Sequence, residues 1–367
     1  MTGKPPVRRA RAVTIRDVAK RARVSAAAVS RHFNQRIVLP EATVKRIETA
    51  ASDLGYRPNV AARRLKTGSS ESLGIVISDV AYPFFGAVAS AAEAECARNG
   101  YSLLILNSRN IAENEIAFLQ RIEDAQVDGV LLMTNHSVQD KLVETINRVK
   151  NVVLADEDVE GADASRLFAR NFEGARMAVD HLIENGHTRI AFVGGDPGLL
   201  STRERRRGWH DALTDAGLTP DPELELFPGY RIDSGEAAFA AFDAMDHPPT
   251  AIFAIADMIA IGLLRAFHAH GLRVPQAASL IGFDDTFLMD VLDPPMTTVR
   301  QSPEVFGTRG IQLLQQTVEG KLDAPETEYV DVELVRRSSV GAPRQGRHWR
   351  DVGDSHPPGH PRQIPST

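Results

Sequence analysis

Sixteen of the chain's 42 lysines and arginines fall within residues 1–70, against four acids there, Asp17, Glu41, Glu48 and Asp53. The chemistry open to such a segment is electrostatic. It can neutralise phosphates, and the release of their counterions makes the grip steeply dependent on salt. The remaining residues hold 26 basic and 44 acidic side chains, so the overall charge of −6 conceals a basic head on an acidic body. A disordered basic tail would carry the same charge, but these basic residues are interleaved with apolar ones at helical spacing. Other chemistries find less support. The 367 residues contain no Gly-x-Gly-x-x-Gly, no phosphate-loop lysine and no His-Glu-x-x-His, and Gly194-Gly195-Asp196 is too short to count. His348, His356 and His360 read as a solvated stretch rather than a metal site. Cys96 is the one cysteine, so an internal disulfide is impossible; it reads as a small buried apolar residue on a helix and fits a reducing cytosol. The expectation is therefore no enzyme, no cofactor and no metal.

The elements that must position the basic residues are short helices. Ile15, Val18, Ala19 and Ala22 follow the i, i+3, i+4, i+7 rule, with Thr14 and Asp17 spaced as in a capping box. After a turn at Arg23-Val24, Ser25 can cap a second helix over Ala26–Asn34 that turns Val29 and Phe33 inward. A third helix is predicted from Pro40 to Leu54, burying Val44, Ile47, Ala51 and Leu54 and ending at Gly55. Three short helices with a tight turn between the first two describe a helix-turn-helix domain. The stretch Val60–Lys66 is too short for an independent helix and reads as a linker, or as one or two turns of basic helix when ordered.

From Leu73 the pattern changes. Apolar runs at Leu73–Ser78, Leu103–Leu106, Gly129–Met133, Val152–Ala155, Ile190–Val193, Ala251–Ala256 and Leu280–Phe283 alternate with helical stretches. Such alternation predicts parallel sheets covered by helices, and its length predicts two sheets. No apolar run approaches the roughly 18 residues of a membrane span, and no secretory signal is expected at the basic N-terminus. A cytoplasmic protein is therefore expected, which argues against a periplasmic transport receptor. The expected organisation is a basic tail (1–12), a helix-turn-helix domain (13–58), a hinge (59–70), a core (71–340) and a disordered tail (341–367).

The stretch Val13-Thr-Ile-Arg-Asp-Val-Ala-Lys-Arg-Ala-Arg-Val-Ser-Ala-Ala-Ala-Val-Ser-Arg-His-Phe-Asn34, followed by Leu54-Gly-Tyr-Arg-Pro-Asn59 and Ala62-Arg-Arg-Leu65, resembles the lactose/galactose/purine repressor (LacI-type) family. Further matches are Tyr82-Pro-Phe-Phe85, Val127-Asp-Gly129, Asn171-Phe-Glu-Gly174, Asn185-Gly-His187, Gly208-Trp-His210 and Ser279-Leu-Ile-Gly-Phe-Asp-Asp285. The resemblance implies an all-α helix-turn-helix headpiece followed by an α/β two-lobed, periplasmic-binding-protein-like core with parallel sheets. It also implies a sequence-specific regulator, expected to be a repressor, with double-stranded operator DNA and a small-molecule effector as partners.

By the same resemblance the helix from Ala26 is the recognition helix. Arg31 is expected to donate two parallel hydrogen bonds to guanine O6 and N7, and Ala26 and Ala27 occupy specificity positions. Thr14, Ser25, Ser30 and Asn34 match phosphate-contacting positions, which fix register. Leu65 matches a leucine wedged into the minor groove by paired hinge helices, with Ala61 and Ala62 small enough for close approach. Two positions depart from the family's habit: Arg23 stands where glycine is usual in the turn, and Pro40 where a serine commonly caps.

For the effector, the resemblance puts a cleft between two lobes at the C-terminal ends of strands. It implies Phe84 and Phe85 on the first-lobe wall, Tyr230 as a flat face from the second lobe, and Arg205 and Asp284 as a charged pair gripping hydroxyls, with Asp156 and Asp257 as further candidates. Departures cluster here. Ala256 stands where a polar residue is common, Arg170 where aspartate is common, and Glu157 where arginine is common. Arg170 suggests an acidic sugar or phosphate, or else a salt bridge with Glu157. A saccharide or related polyol is the expected effector and a purine-like ligand the alternative; whether it induces or corepresses stays open. The residues after Val340 contain no leucine, which favours a dimer over a zippered tetramer.

Overall fold

The computed structural model describes residues 13–33, 39–56, 69–136 and 140–351. Expectations for Asn34, the hinge residues Ala61, Ala62 and Leu65, and the tails 1–12 and 352–367 lie outside the described residues. The chain divides into two compact units, at Ser69 and Ser70.

The first unit is helical. Helix α1 (Ile15–Ala22) starts from a capping box in which Asp17 Oδ2 accepts from the Thr14 N–H at 2.9 Å. It ends at Arg23, held in the left-handed region at φ 54°, a conformation that costs a side-chain-bearing residue on the order of 1 kcal/mol. Helix α2 (Ala26–Phe33) is capped by Ser25 Oγ, which accepts from the Ala28 N–H at 3.1 Å. Helix α3 (Glu41–Leu54) begins at Pro40, which supplies no side-chain cap, and stops at Gly55 in a left-handed turn. Val18, Ala19, Ala22, Val29, Ile47, Ala50 and Ala51 form its small core. Val44 and Leu54, expected to be buried, are only half so.

The second unit carries two six-stranded sheets. The first lobe runs β1 (Ser72–Ile77), α4 (Pro83–Arg98), β2 (Ser102–Asn107), α5 (Ala112–Glu123), β3 (Gly129–Met133), α6 (Asp140–Val149), β4 (Val152–Ala155) and β5 (Ser165–Ala169). The second runs α7 (Asn171–Glu184), β6 (Ile190–Val193), α8 (Leu200–Asp215), β7 (Glu225–Leu226), α9 (Ile232–Asp243), β8 (Ala251–Ala254), α10 (Asp257–Ala269), β9 (Ser279–Asp284) and β10 (Thr297–Gln301). Helix α11 (Pro303–Val318) and β11 (Thr327–Val330) return to the first lobe, and β12 (Val332–Val335) closes the second. The sheet orders are β11-β5-β4-β3-β1-β2 and β12-β10-β9-β8-β6-β7, and every pairing is parallel except β10 with β12. β1, β3, β4, β6, β8 and β9 are buried throughout, which is why they appeared as continuous apolar runs.

The chain thus passes between the lobes at Arg170, Ser302 and Asp331. Arg170 and Asp331, on two of these crossings, pair at 2.8 Å, and Arg170 also approaches Glu173 at 3.7 Å. The expected partnership of Arg170 with Glu157 is not formed, because Glu157 is engaged elsewhere.

The C-terminal expectation needs correcting. Residues 341–351 are part of the body. Trp349 is fully buried, stacks on Phe239 at 5.1 Å between centroids, and donates from Nε1 to the Pro249 carbonyl. Arg344 donates to the carbonyls of Pro248, Pro249 and Ala277, and His348 lies 3.1 Å from the Asp243 carbonyl. The composition of this stretch reads as disorder, but one tryptophan can bury about 150–250 Å², on the order of 4–6 kcal/mol of transfer free energy. That is enough to fasten a strap whose average composition is polar.

Candidate nucleic-acid interface and ligand cleft

On the helical unit, Ala26, Ala27 and Arg31 are exposed along α2, and Ser30 is half-buried. Arg31 forms no ion pair among the described residues, whereas Arg21 is held by Asp53 at 2.9 Å. The Thr14 hydroxyl donates to Asp17 Oδ2 at 2.7 Å, and Ser25 caps α2, so both shape the helix ends besides facing solvent. Arg16, Lys20, Arg23, Lys45 and Arg46 are also exposed. The surface offers a guanidinium and a field of cations on a rigid helical frame, which is what reading a groove and gripping phosphates require.

In the body, the strand ends and helix starts of the two lobes bring buried polar groups together. Tyr82, at the start of α4 in the first lobe, donates its hydroxyl to Asp284 Oδ2 in the second at 2.8 Å. Gln301 Nε2 donates to the other Asp284 oxygen at 2.7 Å. Burial pushes the Asp284 carboxyl up to about 6, although Arg205 and the Tyr82 hydrogen bond act against the rise. Arg205 on α8 is 3% exposed; its Nε donates to Asn171 Oδ1 at 2.8 Å, its Nη1 to the Ile255 carbonyl, and its guanidinium lies 3.6 Å over the Phe283 ring. A guanidinium fixed at this many points is pre-aimed rather than mobile.

From the first lobe come Asp156 and Glu157. Asp156 is 9% exposed, sits at φ 72°, and its carboxyl receives no hydrogen bond from the described residues. Glu157 reaches into the second lobe, where its carboxyl accepts from the Ser201 N–H at 3.2 Å and from the Ser201 hydroxyl. Burial first, and Asp156 second, push Glu157 up to about 8. The Tyr230 hydroxyl lies 2.5 Å from Thr202 Oγ1 and 3.3 Å from Ser201 Oγ. Its ring packs against Gly195, where an added Cβ would fall 1.8 Å from a ring atom, so only glycine leaves room there.

Three expected cleft residues make their contacts within their own lobes. Phe84 packs on Phe306 inside the first-lobe core, and Phe85 on Phe84 and Tyr82; the group that crosses to the other lobe is the Tyr82 hydroxyl. Asp257 is fully buried and spends its oxygens on the Thr286 N–H and hydroxyl and the Thr298 hydroxyl, tying strand ends of its own lobe. Residues not picked out from sequence are Tyr82, Ser201, Thr202 and Gln301, while Glu157 stands out there only as a departure. The unexpected acid at 157 was the one available signal. A separate hollow lined by Glu236, Phe239, Asp243, Arg265 and His270 shares no residue with this cluster. Among the described residues no group of His, Cys, Asp and Glu could hold a metal ion, and no helix is long and apolar enough to cross a membrane. Cys96 is buried, with its thiol pushed up to about 12 by burial, in keeping with a packing role.

Comparison with known proteins decides the family. Residues 14–59 match the bacterial regulatory proteins of the lacI family, and residues 179–340 match the periplasmic binding protein-like domain. The HTH-type transcriptional repressor PurR of Vibrio atlanticus is 30% identical over 89% of this chain and 98% of its own length. The chain belongs to the lacI family. Its members are transcriptional regulators and not enzymes, as the absence of catalytic motifs led us to expect. Among solved structures, the lac repressor dimer bound to operator and the anti-inducer ONPF superposes with a TM-score of 0.80, at 26% identity, covering 90% of this chain and all of that one. The complex of the transcriptional regulator CelR with cellobiose superposes at 0.69, with 28% identity over 89% of this chain and all of that one. The fold expected of this lacI-family chain, a helical head on a two-sheet α/β body, is the one found.

Proposed function

We propose that this lacI-family chain is a cytoplasmic, sequence-specific repressor that works as a homodimer on a pseudo-palindromic operator. Its operator affinity is switched by a small molecule held between the lobes. The carrying observation is the Tyr82–Asp284 hydrogen bond across the cleft, beside a fixed Arg205 and an Asp156 carboxyl that lacks a donor. A molecule that supplies donors there favours one relative position of the lobes. If the two positions differ in how they set a dimer's hinges, a coupling of about 1–3 kcal/mol changes DNA affinity about 5–150-fold.

A saccharide or related polyol suits this set of acceptors, and the cellobiose complex of a structural neighbour supports that choice. Arg31 on α2 reads a guanine, with Ala26, Ala27, Thr14, Ser25 and Ser30 around it. For dimerisation, Phe287 and Val291 stand 75% and 73% exposed in one short segment of the second lobe, an apolar spot that a partner could cover. The test is a gel-shift titration of the chain's own promoter at low and moderate salt, with and without sugars. Binding should weaken steeply with salt and respond to one sugar. Indifference to its own promoter at low ionic strength, with and without candidate effectors, would end the reading.

A further inference from the structure

Buried acids outnumber buried bases where the lobes meet. Asp156, Glu157 and Asp284 are all at most 9% exposed, and Arg205 is the one buried Lys or Arg among the described residues. All three carboxyls are pushed above the usual carboxylate range, chiefly by burial, so the surroundings disfavour a further ionised group and offer one buried guanidinium to offset it.

Glu157 adds a geometric element. The N-terminus of a long helix is where a protein ordinarily takes a ligand's phosphate or carboxylate, through free N–H groups and the helix dipole. Helix α8 has sixteen residues, and its own cap residue, Leu199, offers no side-chain acceptor. The Ser201 N–H and hydroxyl instead go to the carboxyl of Glu157, delivered from the other lobe. The place an anionic group would occupy is filled from within the chain. Asp156 beside it is the opposite case: a nine-tenths-buried acceptor to which no described residue donates.

We infer that the cleft takes an uncharged polyhydroxylated or amine-bearing effector, and that Glu157 is the specificity residue that turns away phosphorylated and carboxylated ones. The inference rests on the reading of the cleft as the effector site. A donor-rich ligand satisfies Asp156 and leaves Glu157 on α8. An anionic ligand must displace Glu157 from Ser201 and bring its charge into buried surroundings that disfavour ionised carboxyls.

Matched pairs test this on the full-length chain by calorimetry: glucose and its phosphate ester, galactose and its uronic acid, adenosine and its monophosphate, with inorganic phosphate as a bare anion. The wild type should prefer the uncharged member of the pair it binds by at least about tenfold. Glu157→Ala, which empties the helix N-terminus, should narrow that preference and gain measurable affinity for inorganic phosphate. Glu157→Gln, which keeps the hydrogen bonds and the fold, should retain binding of the uncharged member. An anionic member bound by the wild type as tightly as its parent, and lost in Arg205→Ala, overturns the inference while leaving the cleft in place. Binding indifferent to Arg205→Ala, or no binding of either member of any pair, removes the cleft reading and the inference together.

Discussion

Arg31 stands in water on α2 with no acid paired to it among the described residues, while Arg205 is 3% exposed, stacked on Phe283 and bonded to Asn171 and the Ile255 carbonyl. The same guanidinium is used in two ways. On the head it is free to meet a base edge, and its worth lies in contact still to be made. In the body it is spent on holding geometry, and its charge offsets carboxyls that burial pushes upward. Exposed charge in one short segment can be changed with little effect on the fold. Buried sets such as Tyr82–Asp284–Gln301 and Arg205–Asn171 cannot, because loss of one member leaves its partner unpaired.

The largest effect should come from the buried side of this comparison. Arg205→Ala strands Asn171 Oδ1 and the Ile255 carbonyl and removes the compensating charge beside Asp156 and Asp284. Breaking a buried charge in this way costs about 3–5 kcal/mol, so the body should melt at a lower temperature and lose its effector response. The head should still bind DNA at low salt. A normal response to effector in a gel shift would show that Arg205 is structural only.

Next comes pH. Glu157 is raised to about 8 from an ordinary 4.5, so the folded state keeps its proton where the unfolded chain has released it. The stability this lends is complete below the unfolded value and is lost as pH rises through the folded one. The groups around it are Asp156, Ser201 and Arg205, with Tyr230 nearby. Thermal unfolding of the body should therefore shift to lower temperature between about pH 5 and pH 8. Glu157→Gln, which has no proton to lose, should flatten that slope. Parallel profiles for the two proteins would place the pH dependence elsewhere.

Sequence offered Arg205 as a candidate and Glu157 as an unexpected acid, but not the partners that hold them, and the reason is physical. The helical head was legible because its signals are local: Thr14 and Asp17 three apart, a serine before α2, Gly55 after α3. The buried strands were legible as apolar runs. β7, β11 and β12 were not, because they are short or half-exposed, and β5 and β10 were not, because polar residues such as Ser165, Arg166, Thr297 and Thr298 interrupt their apolar runs. The cleft pairs residues 202 and 44 positions apart, as with Tyr82–Asp284 and Glu157–Ser201, and no periodicity encodes that. The strap 341–351 was hidden by the opposite error, since average composition outvoted one tryptophan whose burial decides the matter.

On the exposed side, Arg31→Ala should cost about 1–3 kcal/mol of operator affinity and relax discrimination at one base pair. Effector binding and unfolding of the body should be unchanged. The measurement is a panel of single-base operator variants. A uniform loss across all of them, with a shallower dependence on salt, would reassign Arg31 to a phosphate.

The smallest expected effect is Arg23→Gly, and it shows how narrow the margin is in the head. Arg23 is left-handed at φ 54°, with the Val24 N–H bonded back to the Ala19 carbonyl at 3.0 Å, so the turn fixes this conformation whatever residue sits there. An L side chain pays about 1–2 kcal/mol for it, and glycine's extra freedom when unfolded returns about half, leaving a net gain of about 0.5–1 kcal/mol. The core it supports is seven small or medium side chains, so even this increment should slow hydrogen exchange at Val18, Val29 and Ile47 severalfold. Exchange in β3 and β8 should not move, because nothing at Arg23 belongs to the body's core. A variant whose head exchanges no more slowly would mean that Arg23 earns back its strain through a contact of its own side chain, and phosphate would then be the partner to look for.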